Sequence, residues 1–339
     1  MTPQYRPIPH GDALRPEGAL PLAGGPLCFA AVAFHERGAP PRLVPAGSLP
    51  AAVRARLSAP RPPLCGLSLD RPRIMGVVNV TPDSFSDGGR FDDAAAAVAA
   101  GIAMAEAGAD LIDVGGESTR PGSDPVPVER ELARVVPVVA GLRAARPAIA
   151  ISIDTRKADV AAAAVAAGAG LVNDVSALTY DAAMAGVVAA SGAALCLMHA
   201  KGDPKTMQDA PRYDDVLLDV AEHLADRVAA AEAAGIPKER ILVDPGIGFG
   251  KTIAHNLDLI RGLSLLHDLG CGVLFGASRK RFIGAIAGEA EPARRVPGSI
   301  AVALEALRQG AQVIRVHDVA ETRQAVALWR ALAGSAVEP

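Results

Sequence analysis

Between Arg73 and Asp318, short apolar runs keep ending on residues that can do chemistry. "RIMGVVN" stops at Asn79, and "ADLIDVGG" carries Asp113 and leads to Glu117, Thr119 and Arg120. "AIAISID" ends at Asp154, "GLVND" at Asn173 and Asp174, "ALCLMH" at His199 and "ILVD" at Asp244. "GVLFGASRK" runs into Ser278, Arg279 and Lys280, and "QVIRVHD" carries Arg315 and His317. Carboxylates and amides collected at one place would pair with the N–H groups of a polar ligand. At Arg315, a planar guanidinium suits stacking and anion contact better than an ammonium. In "RVH" the arginine and histidine are two residues apart, hence on one side of a strand. Each residue also has a plainer use. Asp154 and Asn173 are good helix N-caps. Asp244-Pro245 makes a turn. A lone Arg or His at a strand end often sits in a satisfied ion pair.

These groups meet only if the strands are parallel and closed. About eight runs with polar carboxyl ends predict a (β/α)8 TIM barrel, whose active site is built at that end. The helical stretches between them end on Gly108, Gly168, Gly192, Gly235 and Gly310, each followed by the next strand. A doubly wound open sheet is the alternative, but no G-x-G-x-x-G joins the first strand to its helix. Two connections are long, Thr81 to Phe91 and Gly115 to about Pro127. Both follow early strands and read as lids over the catalytic face.

About half of the prolines precede Arg71. Residues 1–70 form an N-terminal extension of unassigned role, with "PLCFAAVAF" and "PRLVPAG" as short strands and "LPAAVRARLSA" as a helix. These are too few for a core of their own, so the extension is expected to pack on the barrel of residues 71–335. The final "GSAVEP" is expected to fray.

Only 3% of the residues are aromatic and the net charge is -3, which argues against a nucleic-acid platform or an anionic-membrane surface. No uninterrupted apolar span reaches membrane length. Cys28, Cys65, Cys196 and Cys271 form no C-x-x-C pair and read as reduced thiols of a soluble cytoplasmic protein.

"IMGVVNVTPDSFSDGG" and "GADLIDVGGESTRPGS" resemble the two pterin-binding signatures of the dihydropteroate synthase family. "SIDTRK", "VNDVSAL", "LMHAKGDPKTMQ", "ILVDPGIGFGKT", "GASRKRFIG" and "RVHDV" follow in the family's order, over about residues 73–330. The resemblance implies condensation of 6-hydroxymethyl-7,8-dihydropterin pyrophosphate with p-aminobenzoate in folate biosynthesis. It implies that Asp154, Asn173, Asp244, Lys280 and Arg315 bind the pterin, and that Asn79, Arg315 and His317 bind pyrophosphate. Catalysis is then shared by Asp154, Lys280, Arg315 and His317. Phe85, Thr119, Arg120, Pro121, Phe249 and Ser278 would surround p-aminobenzoate. Mg²⁺ would be held by Asn79 as its protein ligand, the protein would be a homodimer, and sulfonamides would target it.

Three other readings share features of the chain. A methyltransferase barrel that binds pterins or folates keeps the pterin carboxylates but lacks both loop signatures together with S-R-K. An aldolase would use Lys280 as a Schiff-base lysine. A non-catalytic homologue would not need every strand-end residue and both lids. "PGIGFGKT" looks like a P-loop, but Pro245 stands where that motif needs glycine. Lys251 and Thr252 are therefore given a structural role, and His223, His255, His267 and Lys201 are placed at the surface. Asp318 is read as a helix cap, and Pro297 as part of a loop.

Overall fold

The computed structural model describes residues 3–11, 15–80, 90–118, 122–203 and 205–334, with the backbone alone at 90–93. Phe85, Thr119, Arg120, Pro121 and the last five residues lie outside that range.

Among the described residues, eight parallel strands close into a barrel. They are β5 (Arg73–Asn79), β6 (Leu111–Gly115), β7 (Ala150–Asp154), β8 (Leu171–Asp174), β9 (Ala194–Met198), β10 (Ile241–Asp244), β11 (Gly272–Phe275) and β12 (Val313–Val316). Closure comes from β12 pairing with β5, where Val313 faces Arg73 and Val316 faces Gly76. The strands read as unbroken apolar runs because helices cover them outside and side chains fill them inside. The covering helices are α2 (Arg90–Glu106), α3 (Val128–Ala145), α4 (Ala158–Ala167), α5 (Met184–Ser191), α6 (Val216–Ala233), α7 (Ile253–Arg261), α8 (Arg281–Ala287), α9 (Val296–Arg308) and α10 (Val319–Leu332). Pro297 lies in the first turn of α9 rather than in a loop, where its missing N–H breaks no helical bond.

The extension is more ordered than its composition indicates. Besides the expected β3 (Leu27–His35), β4 (Arg42–Pro45) and α1 (Ala51–Ser58), it contains β1 (Gln4–Gly11) and β2 (Leu20–Pro21). β3 is central, with β1 antiparallel on one side and β2 and β4 on the other. Its apolar residues Phe29, Val32 and Leu57 belong to the same continuous core as Leu263, Leu265 and Leu266 of the barrel. Leu64 and Leu69 enter a second cluster with Met75, Leu111, Leu171, Leu242, Leu274 and Val313, and so cover the amino-terminal end of the barrel. Polar ties fix the orientation. Asp268 accepts from the Tyr5 N–H at 3.0 Å and from Arg56 Nε at 3.0 Å. Ser264 Oγ donates to the Pro7 carbonyl, and Arg37 pairs with Asp219 and Glu222 of α6.

This cover corrects the placement of His267, which is fully buried. It lies in the 3-10 turn Leu263–Leu269 under the extension, and Arg61 Nη2 donates to its carbonyl. Burial, and then the Arg61 charge, push its pKa down to about 3. His223 is partly buried too, its ring centre 4.9 Å from that of His199. His255 completes the N-terminal cap of α7 with Thr252, as a structural role for Thr252 requires.

A chain beginning at Arg71 would expose Leu57's partners and the floor of the barrel to water. Such a truncation is expected to aggregate or to lose cooperative thermal unfolding, measured by calorimetry. A soluble truncation with the full-length Tm would show that the sheet is a passenger.

Candidate active site

Four strands meet at the floor of the barrel mouth. Arg315 on β12 donates from Nε to Asp113 Oδ2 at 2.6 Å and from Nη2 to Asp154 Oδ2 at 2.7 Å. Asn173, at the end of β8, donates from Nδ2 to the same Asp113 oxygen at 3.2 Å. Asp113 is fully buried in the middle of β6 and Asp154 nearly so at the end of β7. One guanidinium therefore faces two buried carboxylates. Burial raises the Asp154 pKa from 3.8 to about 7, against the pull of Arg315 and with the help of Asp113. Burial opposes the Arg315 charge as well, but Asp113 and Asp154 outweigh it and raise its pKa. Asp154 Oδ1 and Asp113 Oδ1 are buried and accept no hydrogen bond from a described group. A buried acceptor left so costs about 1–3 kcal/mol, which a ligand N–H can recover.

Neither Asp154 nor Asn173 caps a helix. The N-cap of α4 is Lys157, with no side-chain cap. Asp174 holds the turn after β8, accepting from the Ser176 and Leu178 N–H groups at 2.8 and 2.7 Å. Asp318 stands at the N-cap of α10 without making a cap bond. Its carboxylate instead pairs with Arg279, accepting from Nε at 3.1 Å, because that arginine is folded towards it.

The opposite wall is set by β10 and the segment after β11. Asp244 Oδ1 accepts from the Gly246 N–H at 2.7 Å. Burial raises its pKa, and Lys280 and that N–H pull the other way. Arg279 has φ +59°, an unfavourable backbone for a residue with a side chain. It is held there by its own N–H to Ser299 Oγ at 2.9 Å and by Arg295 Nη1 on its carbonyl at 3.0 Å. The turn presents both Ser278 and Lys280 to the cleft. Lys280 Nζ donates to the Ile247 carbonyl and lies 4.6 Å from the centre of the Phe249 ring. Ser278 Oγ accepts from the His317 N–H at 3.2 Å and lies 3.0 Å from His317 Nδ1.

These walls enclose a cleft of about 670 Å³, a size suited to a drug-sized ligand. Asn79, Asp154, Asn173, Asp244, Phe249, Ser278, Lys280, Arg315 and His317 all line it. Phe85, Thr119, Arg120 and Pro121 lie outside the described residues. Among the described residues no group of three or more His, Cys, Asp or Glu side chains could hold a metal ion.

The sequence assigns no site role to four residues at or beside the cleft. Asp113 was visible only as a carboxylate inside an apolar run, which is itself a signal in a barrel strand. Glu117 accepts from Arg156 Nε at 2.9 Å, from Lys157 and from the Val126 N–H at 2.9 Å, tying the two ends of the loop after β6 to the start of α4. Gln208 and Lys251 also line the cleft; nothing local in the sequence marks Gln208, and Lys251 is marked only by its P-loop-like string.

A closed parallel barrel with one deep polar cleft at its strand ends defines an enzyme of the (β/α)8 class. The family model of the pterin binding enzymes matches residues 75–317. The dihydropteroate synthase of Escherichia coli K12 is 47% identical over 260 residues, covering 77% of this chain and 91% of that protein. The structure of Xanthomonas albilineans dihydropteroate synthase with 4-aminobenzoic acid superposes with a TM-score of 0.75 at 52% identity, over 80% of this chain and 96% of that one. The same enzyme in complex with 7,8-dihydropteroate gives 0.72 at 48% identity, over 80% and 97%. The chain belongs to the pterin binding enzyme family and, within it, to the dihydropteroate synthases, which are transferases.

The charge cluster sets a pH signature. Folding takes up a proton at Asp154, because its folded pKa lies above 3.8. Its stabilising share is complete below pH 3.8 and is lost as the pH rises through about 7. Asp154→Asn is therefore expected to match or exceed the parent chain in stability above pH 7, and to be far less active. Urea midpoints at pH 5 and pH 8 check this; an Asp154→Asn chain weaker at pH 8 than at pH 5, relative to the parent, would contradict it.

Proposed function

We propose that this chain joins 6-hydroxymethyl-7,8-dihydropterin pyrophosphate to p-aminobenzoate, forming 7,8-dihydropteroate and pyrophosphate in folate biosynthesis. The observation that carries it is the meeting of nine residues, drawn from strands or loops far apart in the chain, on one cleft. Their chemistry matches the two substrates part by part.

The pterin's amino and N–H edge needs acceptors. Asp154, Asn173 and Asp244 offer them at the cleft floor, and the unsatisfied Asp154 Oδ1 is one such point. Lys280 and Arg315 contact the ring. A wrong heterocycle would leave these buried groups unpaired, which is the stronger form of discrimination. Asn79, Arg315 and His317 face the pyrophosphate. The two carboxylate contacts use two of the five guanidinium N–H donors of Arg315, so the side chain keeps capacity for an anion. Ser278, beside His317, receives the p-aminobenzoate carboxylate, and Phe249 walls its ring. Phe85, Thr119, Arg120 and Pro121 complete that slot by resemblance.

In the reaction the C–O bond to pyrophosphate breaks and the arylamine nitrogen bonds to the same methylene carbon, then loses a proton. No side chain becomes covalently attached. Asp154 opposes positive charge that develops on the ring, while Arg315 and His317 meet the negative charge on the leaving group. Positioning and fixed charge supply the catalysis. A single amide oxygen, Asn79, fits Mg²⁺ that is otherwise completed by phosphate oxygens and water, rather than a transition metal that needs a cluster. When bound, Mg²⁺ neutralises the pyrophosphate charge.

The proposal extends to a homodimer working in the cytoplasm. Among the described residues no helix is long and apolar enough to cross a membrane. Light scattering after size exclusion tests the dimer.

Pyrophosphate release should require both substrates. Lys280→Ala and Asp244→Ala should each lower kcat/KM for the pterin substrate by about 100-fold or more, the range for losing a buried charged contact. Parent-like turnover in either variant would remove that residue from the site. A sulfonamide should compete with p-aminobenzoate and not with the pterin pyrophosphate. Noncompetitive or absent inhibition, measured at saturating pterin substrate, would place the second substrate elsewhere. Chelation with EDTA should stop turnover, and Mg²⁺ should restore it; turnover unaffected by EDTA would refute the Mg²⁺ requirement.

A further inference from the structure

The loop after β10 runs from Pro245 to Thr252 and ends in a lysine that turns back on it. Lys251 is buried. Its Nζ donates to the carbonyls of Gly246 at 2.9 Å and Phe249 at 3.0 Å, and stands 2.9 Å from His199 Nδ1. The intervening and following carbonyls are held as well. Lys280 Nζ donates to Ile247 O, Gln208 Nε2 to Gly248 O at 2.6 Å and Tyr213 Oη to Gly250 O at 2.8 Å. Five successive loop carbonyls thus accept from side chains, two of them from Lys251. Surface loops usually leave such groups to water.

The backbone is pressed equally hard. A Cβ on Gly246 would lie 1.9 Å from the His199 carbonyl oxygen, and one on Gly250 would lie 2.2 Å from that of Lys201. Both glycines have positive φ. The loop is therefore seated on the segment that follows β9, tied to it by Gln208 and Tyr213 from that segment and by Lys251, which alone of the three reaches from the loop back to His199. A P-loop lysine would point at a phosphate. Here the hydrogens are spent on the loop itself. Burial and the Lys280 charge push the Lys251 pKa well down. With the His199 carbonyl at 3.3 Å, three carbonyls accept from Lys251 Nζ, as many as an ammonium has hydrogens.

We propose that Lys251 is a positioning residue for the second substrate. By tying the carbonyls of Gly246 and Phe249 to His199, it fixes the Phe249 ring beside Lys280 as a wall of the p-aminobenzoate slot. This rests on the function proposed above. The pterin contacts at Asp154 and Asn173 lie on other strands; those at Asp244 and Lys280 touch the loop through the Gly246 N–H and the Ile247 carbonyl, by bonds other than those of Lys251.

Lys251→Met keeps the length and burial of the side chain and removes its donors. Its KM for p-aminobenzoate should rise about 10- to 100-fold, the scale for a small misplacement of a binding wall, with the KM for pterin pyrophosphate within about threefold of the parent. A merely structural lysine would instead reduce the active fraction and leave both KM values alone. Tyr213→Phe removes the Gly250 bond from outside the cleft and should move the same KM in the same direction by less. It decides the matter if Lys251→Met does not fold. An unmoved KM for p-aminobenzoate, or both KM values rising together, overturns the inference. A parent chain that releases no pyrophosphate with both substrates defeats the functional proposal instead, so the two failures are distinguishable.

Discussion

Two buried carboxylates share one guanidinium at the centre of this molecule, and the rest of the active site is arranged around that imbalance. Asp113 and Asp154 arrive on adjacent strands, and Arg315 arrives from about 160 to 200 residues later. Removing one partner of a buried pair strands the other and typically costs about 3–5 kcal/mol. A third charge makes the cluster worse balanced, and an apolar floor would pack at least as well. The net charge of the fully ionised trio is negative. Burial, with Asp113 adding to it against the pull of Arg315, makes Asp154 hold its proton up to about pH 7, and a ligand that brings N–H donors or positive character gains there. The stability given up at the floor is the source of affinity.

That floor can be kept charged because the opposite end of the same strands is apolar. Met75, Leu111, Leu171, Leu242, Leu274 and Val313 close the amino-terminal end together with Leu64 and Leu69 from the extension. Barrels commonly divide stability and chemistry between their two ends. In this chain part of the stabilising end is supplied by a segment outside the match at residues 75–317.

The fold was legible because each strand carries its own signature: buried on both faces, it must be apolar throughout, and its polar stop marks the mouth. The nine described cleft residues were legible for the same reason, since they stand at or just after strand ends. What was hidden depends on tertiary contact. Asp113 breaks an apolar run but gains meaning only when Arg315 meets it. His267 looked solvated because its helical turn is polar at Asp268 and His267, and only the docked extension buries it. β1 carries two prolines in eight residues, "QYRPIPHG", which masks a strand. Prolines are tolerated at a sheet edge, where no ladder N–H is missed on the open side, and among the described residues β1 pairs with β3 alone.

Lys251 shows why a motif must be read with its surroundings. Its string is one residue from a phosphate-binding loop, and a lysine after glycines usually serves an external anion. Here the glycines serve close packing against His199 and Lys201. The loop's carbonyls are then turned towards side-chain donors, and a lysine amine, with at least two hydrogens at the end of a flexible stem, can reach two of them at once. An arginine's rigid fork would have to match their spacing in a plane. The same residue types that would cradle phosphate elsewhere become internal scaffolding when the peptide groups present oxygen rather than N–H. The direction of the backbone dipoles, which no string of letters displays, decides between the two.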